Sequence, residues 1–329
     1  MDESRTHPYD RLDPDTVLEA VERTGRRPSG HLLALNSYEN RVYQIGLEDG
    51  TFVVGKFYRP GRWSDAAILE EHAFARELAG QELPVVTPLA DAGGTTLHEH
   101  AGFRYALYPR QGGRCPELDS EAHLLQIGRL LGRMHAIGAL RPFRHRPALD
   151  IDSFGRAPSR WLLAHGFLPV HVETAYRTLV EDLLVRIEAA FARAGEVRSI
   201  RLHGDCHAGN LLWTDAGPHF VDLDDARMGP AVQDLWMLAP GEREERALAL
   251  SVLIEGYEQF RDFDRRELHL VEALRTLRMI HYAAWLARRC EDPAFRQAFP
   301  WFYSDRYWEE HILQLREQAA ALDEPPVSV

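Results

Sequence analysis

His203, Gly204, Asp205, Cys206, His207, Ala208, Gly209 and Asn210 form one short run, and Asp222 follows twelve positions after Asn210 inside the segment Phe220, Val221, Asp222, Leu223, Asp224, Asp225. A carboxylate able to take a proton thus stands five residues before an amide, with a second carboxylate farther on. That is the inventory of magnesium-assisted phosphoryl transfer, which needs a base to aim a hydroxyl and hard oxygen ligands for the cation. Asp205 carries no required metal duty, so it is the expected proton acceptor.

The flanking residues must hold these groups. Ile200 to His203, Leu211 to Trp213 and His219 to Leu223 read as short strands, with Thr214 to Pro218 as the turn between the last two. A turn centred on Ala216 places Asn210 opposite Asp222, and directly opposed residues approach within about 5.5 Å at their backbones. An amide oxygen and a carboxylate then hold one magnesium ion from two sides, and a register error of one residue would put Gly209 there instead. His203 fits the His-x-Asp-x-x-x-x-Asn pattern of protein-kinase catalytic loops and is read as bracing the loop. Gly204 replaces the arginine common in those loops, which argues against switching by an activation-loop phosphate. Cys206 is read as a small buried thiol without a catalytic role. For Asp224 and Asp225 individually, a supporting or surface role weighs evenly against metal contact.

On the nucleotide side, Arg41–Leu47 and Thr51–Tyr58 read as a hairpin turning through Glu48, Asp49 and Gly50. Lys56 lies on its second strand among Phe52, Val53, Val54, Phe57 and Tyr58, where a lone cation needs an anion. Glu71, on a helix expected over Ile68 to Ala79, is the expected partner that orients Lys56 toward nucleotide phosphates, and Glu70 is its rival because neighbouring helical residues diverge by about 100°. No Gly-x-Gly-x-x-Gly loop precedes Lys56; Leu35 to Arg41 stands there, and Ser37 is either a phosphate donor or an ordinary turn residue. Tyr108 to Arg110 marks the place for a hinge that meets adenine through backbone groups.

The rest of the chain supplies a frame. Asp15 to Arg23 reads as a short helix with Asp13 as N-cap and Pro14 at its first position. A strand pair is expected near Thr95 to Leu97 and Phe103 to Tyr108, and beyond Gly112 and Gly113 the helical spacing of Leu124, Ile127, Leu131 and Met134 takes over. Helices are expected over Val170–Ala194, Glu244–Phe260, Leu268–Arg289 and Tyr307–Leu322, with fraying at Asp323 to Val329. The fold class is therefore α+β, a bilobal protein-kinase-like fold. Residues 1–110 form a small β-rich N-lobe on the nucleotide phosphate side, and residues 111–329 a large, mostly helical C-lobe with the catalytic loop and substrate site.

With 329 residues, 45% of them hydrophobic, the chain can bury a sizeable core, and its formal net charge of −12 argues against a general grip on nucleic acid. Three widely spaced cysteines without a Cys-x-x-Cys pair fit a reducing compartment. The polar start, Met1 to Asp10, and the lack of any apolar run of about 18 residues predict a cytoplasmic protein that neither enters nor crosses a membrane.

The run His203 to Asn210 together with Asp222 resembles the aminoglycoside phosphotransferase and choline kinase superfamily, whose loop is similar to His-Gly-Asp-x-His-x-x-Asn. Within it, Leu35–Gln44, Phe52–Pro60, Ile68–Leu78, Arg201–Asn210 and Phe220–Leu238 carry a stronger resemblance to the bacterial stress response kinases. This resemblance implies an ATP-dependent serine/threonine protein kinase acting on a Ser/Thr-bearing protein substrate, with the chain itself one candidate. It implies Asp205 as proton acceptor, Asn210 and Asp222 as Mg2+ ligands, Lys56 and Glu71 as the phosphate-orienting pair, and Ser37 on the ATP side. Asp234, after Gly229 and Pro230, resembles an aspartate that supports the catalytic loop. Gly55 departs from the pattern, and a β-bulge there is expected to keep Lys56 turned toward Glu71. The alternatives are a small-molecule kinase, a metal-dependent hydrolase using His203, Asp205, His207 and Asp222, and a nucleotide sensor without transfer activity.

Overall fold

The computed structural model describes residues 9–329; the polar stretch at 1–8 lies outside the described residues. Two compact units emerge. The first comprises Met1–Pro116, Phe143–Arg146 and Ala208–Ala226, and the second Glu117–Pro142, Pro147–His207 and Arg227–Val329.

In the first unit, helix α1 (Pro14–Arg23) starts where Asp13 accepts the Thr16 N–H and Pro14 takes the first helical position, as expected. Strands β1 (Pro28–Leu35), β2 (Arg41–Leu47) and β3 (Phe52–Phe57) lead into α2 (Asp65–Gly80), then β4 (His98–His100) and β5 (Phe103–Pro109). They form one antiparallel sheet in the order β1-β2-β3-β5-β4. β1 was not anticipated. The strand expected at Thr95 to Leu97 lies three residues later, because Asp91 folds that stretch into a turn by accepting the Gly93 and Thr95 N–H groups at 2.8 and 2.9 Å.

Side chains alternate across β3. Val53 and Phe57 join Tyr9, Val17, Val21, Ile45 and Leu107 in the core under α1, whereas Lys56 and Tyr58 point the other way, with Ile68 of α2 packed against Tyr58. The expected bulge at Gly55 is absent: β2 and β3 pair without a register shift from Arg41↔Phe57 to Gly46↔Phe52. Gly55 is a matter of space, since a Cβ there would sit 2.9 Å from Ile45 Cδ1 in that packed core.

The second unit begins with α3 (Glu121–Gly138), continues through a π-helical turn (Asp152–Arg156) into α4 (Ala157–Ala164) and then α5 (Val170–Ala194) and β6 (Ile200–Leu202). Hairpin β7 (Leu211–Thr214) and β8 (Gly217–Phe220) belongs to the first unit, where Phe220 bonds the backbone of residues 84–86. The second unit resumes with β9 (Arg227–Gly229), paired to β6, and with α6 (Val232–Trp236), α7 (Arg243–Tyr257), α8 (Val271–Ala287), α9 (Pro293–Ala298) and α10 (Asp305–Asp323). The long helical patterns fall within a few residues of these helices. The expected fraying after Asp323 does not occur: Arg243 donates to the Pro325 carbonyl at 2.7 Å and Val327 is buried. No helix among the described residues is long and apolar enough to cross a membrane.

α3 and α7 meet through glycines: a Cβ on Gly128 or Gly132 would run into the Leu253 or Tyr257 carbonyl, and one on Gly256 into that of Leu125. Backbone cannot retreat as a side-chain tip can, so Gly132→Ala should cost about 3 kcal/mol in urea unfolding. Gly80→Ala, with nothing within 4 Å, serves as the reference. Equal midpoints for the two variants would contradict this account.

Candidate active site

The carboxylate-bearing hairpin has a tighter turn than expected. Leu211 pairs with Phe220 and Thr214 with Gly217, so the turn centres between Asp215 and Ala216. The Thr214 hydroxyl accepts the Ala216 N–H at 3.1 Å, which favours a two-residue connection. The register therefore slips by one, and Asn210, at the end of a 3-10 turn rather than in a strand, faces Val221, whose N–H it receives at 3.0 Å. Asp222 follows in a left-handed conformation, φ 59° and ψ 62°. That conformation is rare outside glycine and is concentrated at functional positions.

Asp222 projects its carboxylate, 52% exposed, to the Lys56 ammonium at 2.7 Å, and Asp224 approaches the same ammonium at 3.3 Å. Lys56 is thus on the face expected of it, but its ion pairs go to these two aspartates and not to Glu71. Burial alone favours neutral lysine; Asp222 and Asp224, with Glu71 behind them, more than reverse this and hold its pKa well above the ordinary value. Glu71 is buried near the cluster, 3.8 Å from Arg146, and its carboxyl is pushed up to about 7 by burial, against the pull of Lys56. Glu70, the rival, points elsewhere and accepts the N–H groups of Arg144, His145 and Arg146 at 2.7, 2.8 and 3.1 Å.

That anchoring explains Arg146, which sequence pattern did not single out. Its guanidinium is buried, donates to the carbonyls of Ala67, Asp224 and Ala226, and lies 4.4 Å over the Trp63 ring. Asp224 is likewise internal. It pairs with Arg62, which also reaches Asp225 at 2.9 Å, and accepts from the Asn40 amide at 3.1 Å. Burial raises the Asp224 pKa and the cations Arg62 and Lys56 outweigh it, so the carboxyl stays below its usual range.

Asn40 ends the loop that replaces a glycine-rich one. Arg59 holds this loop by donating to the Glu39 and Tyr38 carbonyls at 2.9 and 3.1 Å, and its own N–H meets Asn40 Oδ1 at 3.1 Å. Ser37 behaves as a turn residue: its Oγ accepts the Val42 N–H at 3.1 Å and donates to the Leu35 carbonyl at 3.3 Å.

In the second unit, Asp234 on α6 is completely buried and accepts the N–H groups of His203 and Gly204 at 2.8 and 2.9 Å, while His135 of α3 meets it at 3.0 Å. The supporting role expected of Asp234 is what these bonds perform. Asp205, on the loop so held, lies 2.6 Å from Arg278 of α8 and 3.5 Å from His207; Arg278 carried no sequence signal. Cys206 is buried, and burial pushes its thiol pKa far up, with the charges of Asp234 and Asp205 adding to the effect. The thiolate is disfavoured accordingly. Among the described residues, no group of three or more His, Cys, Asp or Glu is arranged to hold a metal. Asn210 and Asp222 offer oxygen donors alone, a set suited to a hard cation such as magnesium.

Glu267 fixes α6 by accepting the Val232 N–H at 2.8 Å, and burial raises its carboxyl from 4.5 to about 7. The native state therefore keeps a proton that the unfolded chain releases near 4.5. Stability from this group is full below that pH and is lost as pH rises through about 7, about 3 kcal/mol in all. Glu267→Gln should flatten this part of the pH profile between pH 5 and 8 in urea melts; an unchanged profile would count against it.

A family model described as Phosphotransferase enzyme family matches residues 31–271. Stress response kinase A of Escherichia coli (strain K12) is 44% identical over 321 residues, 98% of this chain and 97% of that protein. The Salmonella typhimurium protein named Serine/threonine protein kinase RdoA is 43% identical over the same shares. Among solved structures, amicoumacin kinase hAmiN in complex with AMP-PNP, Ca2+ and Ami superposes with a TM-score of 0.74 at 20% identity, covering 97% of this chain and 96% of that one. The microcompartment-associated aminopropanol kinase gives 0.68 at 17%, covering 94% and 95%. The structural likenesses establish a kinase-like fold, and with the family match over most of its length the chain belongs to the phosphotransferase enzyme family.

Proposed function

We propose that this enzyme transfers the γ-phosphoryl group of ATP, with magnesium, to a serine or threonine hydroxyl of a protein, in a cytoplasmic bacterial stress response. The observation that carries the phosphotransfer reading is the buried Lys56 ammonium on Asp222, one residue past the partner of Asn210 in the same hairpin. The protein acceptor is supported by the names of relatives that match nearly the whole chain. In this reading the first unit is the nucleotide-phosphate side and the second, bearing Asp205, the acceptor side.

Lys56 holds nucleotide phosphate oxygens, with the Glu71 carboxyl enclosed behind it. Asn210 and Asp222 would hold magnesium, which when bound neutralises phosphate charge. Asp205 accepts the hydroxyl proton and aims the oxygen at the γ-phosphorus, with Arg278 and His207 fixing its carboxylate. Asp234 keeps the Asp205 loop in shape through two backbone N–H groups. Ser37 and Asn40 act on the ATP side through the shape of the loop, which Arg59 and Asp224 hold from beneath.

Incubation with γ-labelled ATP and bacterial extract tests the reading. Label should appear on protein with the wild type and fall about a thousandfold with Asp205→Asn, whose amide cannot take the proton. Label on small solutes would transfer the assignment to a small-molecule kinase, and ATP binding without transfer, unaffected by Asp205→Asn, would make the protein a nucleotide sensor. Asn40→Ala should raise the KM for ATP about fivefold, the worth of one hydrogen bond, with kcat nearly unchanged. A loss confined to kcat would refute the loop's part in ATP binding.

A further inference from the structure

A cavity of about 500 Å³ opens in the first unit on a side of α2 that the phosphotransfer site does not use, lined by Asp65, Leu69, His72, Ala73, Arg76, the stretch Gly94–Glu99 and Arg104. Its size lies within the range of small-molecule sites. Helical periodicity explains the wall: Asp65, Leu69, His72, Ala73 and Arg76 recur at intervals of three and four, whereas Ile68, Glu71, Ala75 and Leu78 form the buried stripe. Leu69 is 46% exposed here, an apolar side chain on a solvent-open wall.

The charges around the cavity leave one cation over. Arg104 is paired with Asp65 at 2.6 Å and stands directly across β4–β5 from Glu99. His72 is neutral at physiological pH, its pKa brought down to about 3 by burial and by the cations Lys56 and Arg146. Burial lowers His98 too. Arg76 is exposed and remains as the guanidinium that no acid among the described residues pairs with.

The cavity is also wired inward. Thr96, on its wall, meets His72 Nδ1 at 2.9 Å, and His72 Nε2 meets the Tyr58 hydroxyl at 2.8 Å. The Tyr58 hydroxyl in turn lies 3.1 Å from that of Tyr108, and the Lys56 ammonium lies 5.4 Å from the Tyr58 ring centroid. His72 is also the chain neighbour of Glu71. A body seated against Leu69, Ala73 and Thr96 therefore bears on the same helix turn and the same hydrogen-bond chain that surround Lys56.

We propose that this cavity is a second ligand site, taking a small apolar molecule with one anionic group. The anion binds Arg76, the apolar part covers Leu69, Ala73 and Leu97, and occupancy is transmitted through His72 and Tyr58 to Lys56. The activity arm of the test rests on the proposed phosphotransfer; the binding arm does not.

The probe is 3-phenylpropionate, with 3-phenylpropanamide as its uncharged counterpart, followed by methyl NMR of the full-length protein. Leu69 and Leu97 methyl signals should shift saturably with the carboxylate, at least tenfold more weakly with the amide, and at least tenfold more weakly in Arg76→Ala. In the kinase assay the carboxylate should change the KM for ATP at least twofold in wild type and leave Arg76→Ala unaffected. In Tyr58→Phe the methyl shifts should persist while the KM response disappears. Absence of saturable shifts, or shifts indifferent to Arg76→Ala, overturns the site. Binding with an unaltered KM overturns the relay, and an assay without any phosphotransfer falsifies the proposed function while the NMR result still decides the site.

Discussion

A buried ammonium needs compensating charge, and the first unit is arranged around that need. Lys56 comes from β3, and its carboxylate partners come from a hairpin more than 160 residues later in the chain. Once Asp222 and Asp224 meet Lys56, their own neighbours follow: Asp224 draws in Arg62 and Asn40, and Arg146 closes over the Asp224 and Ala226 carbonyls. Losing one member of such a cluster leaves an uncompensated charge in a dry place, a larger penalty than the pair's net contribution to stability. The cluster therefore determines which chain segments of the first unit must be together around Lys56.

The second unit solves a parallel problem with one carboxylate. Asp234 satisfies two successive backbone N–H groups at the start of the Asp205 loop, and His135 completes its hydrogen bonding. Because α3 bears His135 and packs on α7 through glycines at backbone distance, the helical frame and the loop are fixed by the same contacts. In the proposed role of Asp205, a carboxylate presented on such a loop needs little reorganisation to aim a hydroxyl.

Much of this was legible in the residues. The β2–β3 hairpin and the 25-residue helix α5 follow from periodicity, whose physical basis is local. Lys56 was legible because a cation in an apolar strand demands a partner, whereas Asp234 was legible only through its resemblance to a loop-supporting aspartate. The register of β7–β8 was misjudged by one residue, since turn length depends on the Thr214 hydroxyl and not on the strand pattern. Lys56 found Asp222 and Asp224 in place of Glu71, and Gly55 proved to be a packing requirement; both depend on residues remote in sequence. Arg146, Arg62 and Arg278 look like any surface arginine until their partners are known. That residues 208–226 return to the first unit is likewise invisible to local pattern.

Glu70 and Glu71 are chemically alike and adjacent, yet one anchors a distant backbone and the other is enclosed near Lys56. Only the angular step between consecutive helical positions assigns these duties. Ser64 caps α2 by accepting the Ala67 N–H, and adding or deleting one residue between it and this pair would rotate both acids by about 100°, unseating the 144–146 segment and opening the lysine enclosure together. The two acids together therefore fix how many residues these turns of α2 contain.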